Sequence, residues 1–165
     1  MQPMTPAEFG TDRLSDTLLN GTRVHPIDNH GKLRFARGLL TASAANGGAV
    51  TNGHIIGMFT LPPGRLRILN YLSGIACSAF GASRVLNIGH LGYEVRSPGV
   101  VEEAADPDAL ATAVNVATAL NGAAFDGPMT FDIYSKAGVP VTCQVTGGTI
   151  PTNGTLEIAL AYLYE

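Results

Sequence analysis

The sequence has no tryptophan, and only 14% of its 165 residues are charged. Soluble monomers usually carry about 25% charged residues, so a surface this poor in charge implies that much of it is covered in the working state. The two cysteines, Cys77 and Cys143, each lie in an apolar stretch and read as small buried hydrophobes. Two cysteines alone do not establish a disulfide. No apolar run reaches membrane-spanning length: the longest apolar-leaning segment, 68–80, contains Asn70, Ser73, Gly74 and Ser78. The opening residues, Met1-Gln-Pro-Met-Thr-Pro-Ala-Glu, lack the basic start and apolar centre of a secretory leader. These absences predict a protein made in a cytoplasm with no membrane partner.

Catalytic signatures are missing as well. There is no Gly-x-Ser-x-Gly elbow, phosphate-cradling Gly-x-x-x-x-Gly-Lys loop, Cys-x-x-Cys, His-Glu-x-x-His or EF-hand loop. With no nameable nucleophile and base, the expectation is a protein that is not an enzyme and takes no cofactor. His25, Asp28 and His30 offer metal-ligand chemistry, but no further cluster completes a closed site. Glu102, Glu103, Asp106 and Asp108 form an acidic loop whose spacing matches no defined calcium loop, and they read as a solvated face. Arg23, Lys32, Arg34 and Arg37 make a modest basic segment. Direct nucleic-acid binding calls for more positive charge and for stacking aromatics, so these arginines are expected either to pair with carboxylates on a protein partner or to form a polar strand face.

What is present is turn chemistry and alternation. The chain holds 20 glycines and 10 prolines, and Asn-Gly occurs at Asn20, Asn46, Asn52, Asn121 and Asn153. Both residues of that pair tolerate positive φ, which makes it a strong tight-turn signal. The runs between these marks read as strands. Lys32 to Ser43 alternates Leu33, Phe35 and Leu39 with Arg34 and Arg37; His54 to Leu61 stops at Pro62-Pro63-Gly64; Arg65 to Ile75 follows. Arg84 to Ile88 and Gly92 to Arg96 form a weaker pair. Asp106-Pro-Asp reads as a helix start, giving a short helical turn near Asp106 to Ala111, then irregular or extended chain.

From Met129 the alternation is clear. Met129, Phe131 and Ile133 alternate with polar residues, as do Val139, Val141, Cys143 and Val145, and then Leu156, Ile158, Leu160, Tyr162 and Tyr164. Period-two patterning means one buried and one more polar face, which places Tyr162 and Tyr164 with the core. Seven or eight short strands at this spacing predict an all-β fold, an antiparallel β-sandwich or jelly roll spanning 32–165.

Residues 1–31 lack a sustained period and read as an extended N-terminal arm with little core of its own. Fixing such a segment costs about 1–2 kcal/mol per residue in backbone entropy, so it is expected to lie on a partner. Its candidate interface residues are Phe9, Arg13, Leu14, Leu18, Leu19 and Arg23, joined by Arg34 and Arg37 of the first strand. The net charge of −3 is unevenly spread: nine basic and five acidic residues precede Ser97, against one and eight from there on. A basic front and an acidic back suit head-to-tail matching of copies.

Several stretches resemble one family. These are Leu-Pro-Pro-Gly-Arg-Leu-Arg-Ile-Leu at 61–69, Ile-Ala-Cys-Ser-Ala-Phe-Gly-Ala-Ser-Arg-Val-Leu-Asn-Ile-Gly at 75–89, Ala105-Asp-Pro-Asp-Ala-Leu, Phe131-Asp-Ile-Tyr, and the closing Val141-Thr-Cys-Gln-Val-Thr-Gly-Gly-Thr-Ile-Pro-Thr-Asn-Gly-Thr-Leu-Glu-Ile-Ala-Leu-Ala-Tyr. Together they are similar to the small structural proteins that decorate or cement the heads of tailed bacteriophages, over roughly residues 32–165. The motifs mark turns and strands rather than catalysis. The resemblance implies a virion protein assembled in the host cytoplasm, a homotrimer on the outer capsid lattice, with the major capsid protein as partner and a role in bridging its neighbouring subunits. The alternatives are a neck, tail or baseplate component, or a carbohydrate-binding adhesion module, the latter disfavoured by the missing tryptophan.

Overall fold

The computed structural model describes residues 33–42, 52–96 and 100–164. The arm expected over 1–31 lies outside them. The described chain is built from ten strands: β1 (Leu33–Thr41), β2 (Ile55–Leu61), β3 (Gly64–Leu69), β4 (Gly74–Cys77), β5 (Val85–His90), β6 (Asp106–Asn115), β7 (Leu120–Ala124), β8 (Thr130–Ser135), β9 (Val139–Thr146) and β10 (Thr155–Tyr164). Among the described residues there is no α-helix, and so none that is long and apolar enough to cross a membrane.

The strands form two antiparallel sheets. In the six-stranded sheet β10 is central. One of its edges pairs with β1 along its full length, Leu33 opposite Leu163 through Thr41 opposite Thr155. Its other edge is shared end to end by β3 and β4, and these pair outward with β8 and β7. The second sheet has the order β2-β9-β5-β6. Taking β3 with β4 and β7 with β8 as two broken strands, the pairing is nested: first with last, second with next-to-last, and inward to β5 with β6. This nested pairing is a long antiparallel hairpin rolled onto itself, the jelly-roll form of the β-sandwich.

The core lies between the sheets. Leu156, Ile158 and Leu160 of β10 and Leu66 and Ile68 of β3 face Leu86 and Ile88 of β5 and Val141, Cys143 and Val145 of β9, all essentially without solvent exposure. At one side of the sandwich β1 crosses close to β2. A Cβ on Gly38 would stand 2.8 Å from Phe59 and 3.1 Å from Met58, so only glycine permits this approach. At the opposite side β6 is tied to the β7–β8 connection, where the Thr112 amide donates to Asp126 Oδ1 at 3.1 Å.

Five expectations from the sequence are corrected here. The strand expected over Arg65–Ile75 is broken by a 3-10 turn at Asn70–Leu72. Asn70 is wholly buried, and its side-chain amide donates to the carbonyls of Pro128 (2.7 Å) and Leu110 (3.3 Å). Opposite the break, the Ala161 amide of β10 donates to Ser73 Oγ at 3.0 Å, which replaces the missing ladder bond. The helical turn expected near Asp106–Ala111 is instead the start of β6. Pairing with β5 overrides the Asp-Pro-Asp start signal, at the cost of two register shifts. The segment expected to be irregular or extended contains β7. Its Asn121-Gly122 is a bulge within the strand, with Gly122 at φ +75°, rather than a hairpin turn. Gly92–Arg96 makes only a single bridge, Tyr93 with Glu103.

The fifth correction concerns which face of β1 is buried. Leu33, Phe35 and Leu39 point outward, and Arg34, Ala36, Gly38 and Leu40 point inward. The register with β10 forces this parity, because the buried Ile158 and Leu160 sit opposite Gly38 and Ala36.

Candidate protein-docking interface

The outward side of β1 carries an exposed apolar stripe on the six-stranded sheet. Phe35 is 63% and Leu39 67% exposed, on a strand that pairs on one side only, with β10, among the described residues. Beside the stripe, Phe35 stands opposite Ala161 and Arg37 opposite Ala159 of β10, while Leu33 and Leu39 stand opposite Leu163 and Glu157; Gly74 and Ala76 of β4 lie beyond Ala159 and Glu157. Leu39 also walls a shallow depression of about 330 Å³, with Ala76, Cys77, Ser78, Leu120, Thr155 and Glu157. An edge strand bearing exposed apolar side chains is an aggregation hazard unless something covers it.

Charge frames the stripe. Arg37 makes a two-point contact with Glu157 across the β1–β10 pair, Nε to Oε1 at 2.6 Å and Nη2 to Oε2 at 2.7 Å. Its hydrogen bond and charge hold the guanidinium more firmly protonated. Arg34, on the inward side, places its guanidinium 5.3 Å from the centre of the Tyr164 ring. Tyr164 in turn donates to the Pro63 carbonyl at 3.1 Å. Further along the same face Arg67 forks onto Asp132, Nε to Oδ1 at 2.7 Å and Nη2 to Oδ2 at 3.1 Å. That hydrogen bond, with the charges of Arg67 and Arg65, holds the Asp132 carboxyl below its ordinary range. Arg65, Arg67, Asp132, Ile133 and Tyr134 line a second depression of about 230 Å³.

The opposite side of the sandwich carries an acidic border. Residues 100–106 are all exposed, including Val100 (53%) and Val101 (63%). The Glu102 carboxylate accepts from the Val95 amide at 3.1 Å and from the Arg96 amide, which pins this border to the bridge at Tyr93. A hydrogen bond to Asp106, slight desolvation and the Asp106 charge push the Asp108 carboxyl up. Burial, and then the Glu103 charge, push the Tyr93 phenol up.

Of the residues singled out in the sequence, Arg34 and Arg37 fall on β1 beside the apolar stripe and engage partners within the chain. Phe9, Arg13, Leu14, Leu18, Leu19 and Arg23 lie outside the described residues, as do His25, Asp28 and His30. Tyr162 is buried and Tyr164 half-buried. Among the described residues no three His, Cys, Asp or Glu side chains are grouped to hold a metal ion. Cys77 and Cys143 are both buried free thiols, and burial pushes Cys143 up to about 12. Sequence reasoning missed Leu33, Phe35 and Leu39 as surface residues, because alternation gives a strand's two faces without saying which is inside. It also missed Val100 and Val101, whose only signal was two valines next to Glu102-Glu103.

No protein-family model matches the chain, and no curated protein matches it. Among solved structures it shares its fold with a chain of the "Cyanophage Pam1 capsid asymmetric unit", with a TM-score of 0.57 at 15% identity. The match covers 92% of this chain and 99% of that one.

Proposed function

We propose that this protein is a non-enzymatic virion component of a tailed phage that decorates the capsid and stabilises it by bridging neighbouring capsid subunits. The observation that carries the reading is the fold shared, end to end, with a chain from a phage capsid. The match spans nearly all of both chains.

The surface supports the same reading. A sheet with an exposed apolar edge stripe suits contact with a protein surface better than enclosure of a small ligand. Repetition over a lattice adds avidity, so each copy needs only a modest contact. The partner is then the major capsid protein, with residues 1–31 adding contact area over neighbouring subunits and the jelly roll standing on the shell as a trimer.

Co-sedimentation with capsids that lack the protein tests this. Saturable binding at a lattice-wide copy number, weakened in a version starting at Lys32, is the expected result. Binding limited to a single ring of copies moves the protein to a neck or tail, and failure to sediment removes the virion role.

A further inference from the structure

An Asn-Gly pair carries covalent chemistry of its own. The main-chain nitrogen of the glycine can attack the side-chain carbonyl carbon of the asparagine, because no side chain on the glycine shields it. Three such pairs lie within the described residues, at Asn52, Asn121 and Asn153, and all three asparagines are exposed. Their glycines are held differently. The Gly53 amide donates to the Val145 carbonyl at 2.8 Å, and Gln144 Nε2 donates to the Gly53 carbonyl at 2.8 Å. The Gly154 amide donates to the Pro151 carbonyl at 2.9 Å; Gly154 is buried, and a Cβ there would stand 2.8 Å from Ile150. Gly122 is held by neither kind of restraint. The register of β7 with β4 passes from Asn121 opposite Ala76 to Ala123 opposite Ile75 and skips Gly122. Gly122 is thus the extra residue of a bulge, which the ladder leaves unpaired. It is exposed, sits at φ +75°, and a Cβ on it would meet no atom within 4 Å. Among the described residues β7 is also an edge of its sheet.

We propose that Asn121 is a self-modification site, which deamidates through a cyclic imide faster than Asn52 or Asn153. The Gly122 nitrogen bonds to Cγ of Asn121, the Cγ–Nδ2 bond breaks, and ammonia leaves with the proton that the Gly122 amide gives up. Water then opens the ring. Opening at Cγ yields aspartate, and opening at the main-chain carbonyl yields isoaspartate, in which the chain runs through the side chain. Nothing is oxidised or reduced, and water is the one co-reactant. At Asn52 and Asn153 the same attack must first break the hydrogen bond of the glycine amide, which slows it. Either product places a carboxylate on β7, at the register position beyond Ala76 and Glu157. Isoaspartate also lengthens the main chain next to Leu120, which walls the same depression as Leu39.

The test is ageing of the full-length protein in mildly alkaline buffer, without capsids, so that its outcome is independent of the capsid reading. Peptide mapping by mass spectrometry then scores aspartate and isoaspartate at each Asn-Gly pair. Asn121 is expected to convert about tenfold faster than Asn52 and Asn153, the rate factor that roughly one hydrogen bond is worth. In urea, with the protein unfolded, the three are expected to convert at similar rates, because the fold no longer distinguishes them. Native conversion at Asn121 no faster than at the other two would overturn the proposal. So would a preference for Asn121 that persists unchanged in urea, which would trace the selectivity to neighbouring residues rather than to the bulge.

Discussion

Gly89 of β5 lies so close to the main chain of Asp106 in β6 that a Cβ at Gly89 would stand 1.9 Å from the Asp106 carbonyl oxygen. The neighbouring atoms are also backbone, Pro107 C at 2.5 Å and Asp108 N at 2.8 Å, so no flexible side chain can move aside. Gly89→Ala is therefore expected to push β6 away from β5 and to destabilise the protein by about 3 kcal/mol, at the upper end of overpacking costs. Urea unfolding measures it; a loss below about 1 kcal/mol would mean that the two strands do not approach this closely.

The same strand pair contains the opposite case. Ala113 sits at φ +52°, in the left-handed region, within the register shift of β6 between Val114 and Ala111, with its amide donating to Asn87 Oδ1 at 2.8 Å. A side chain with a Cβ is strained there, and glycine is not. Ala113→Gly is expected to be neutral or to stabilise by up to about 1 kcal/mol, after the larger unfolded-state entropy of glycine is counted. Thermal melting distinguishes this from the loss that glycine causes in an ordinary strand.

Both cysteines are expected to resist thiol reagents in the folded protein. Burial raises Cys77 and pushes Cys143 up to about 12, so almost no thiolate forms at neutral pH. A colorimetric thiol assay should count no reactive thiols natively and both after denaturation. Fast labelling of Cys143 in the native protein would contradict its place in the core.

The Arg67–Asp132 pair fixes the sign of one acid effect. The Asp132 carboxyl is held below its ordinary value in the folded state, so its contribution is fully present above the unfolded value and is lost as pH falls through the folded one. Asp132→Asn is therefore expected to cost no more than about 1 kcal/mol near neutrality, because the pair is exposed and well screened. The difference should vanish once wild-type Asp132 is protonated. The raised Asp108 carboxyl acts in the opposite direction, its strain relieved as pH falls through its folded value. Melting temperatures of both proteins across the acid range test this.

The strands legible in the sequence were those whose alternation is buried on one face. β8, β9 and β10 were read nearly to their ends from Ile133, Val141, Cys143, Ile158 and Leu160. β1 was read as a strand but turned over, since only its register with β10 decides between Leu39 and Leu40 as the inner residue. The break at Asn70 was hidden because its cause is long-range: the amide is held by the carbonyls of Leu110 and Pro128, 40 and 58 residues away. The Asp106 helix signal failed for a similar reason, as local start chemistry lost to strand pairing with β5. Interface character was legible only as low charge and the uneven division of charge. The residues that form the apolar stripe became apparent once the fold had set their direction.

Imaging of capsids saturated with the full-length protein tests the central claim most directly. A reconstruction should place jelly-roll density on the outer shell, repeated across the lattice and spanning the junctions between capsid subunits. A shell with no added density, or density confined to one vertex, would contradict capsid decoration.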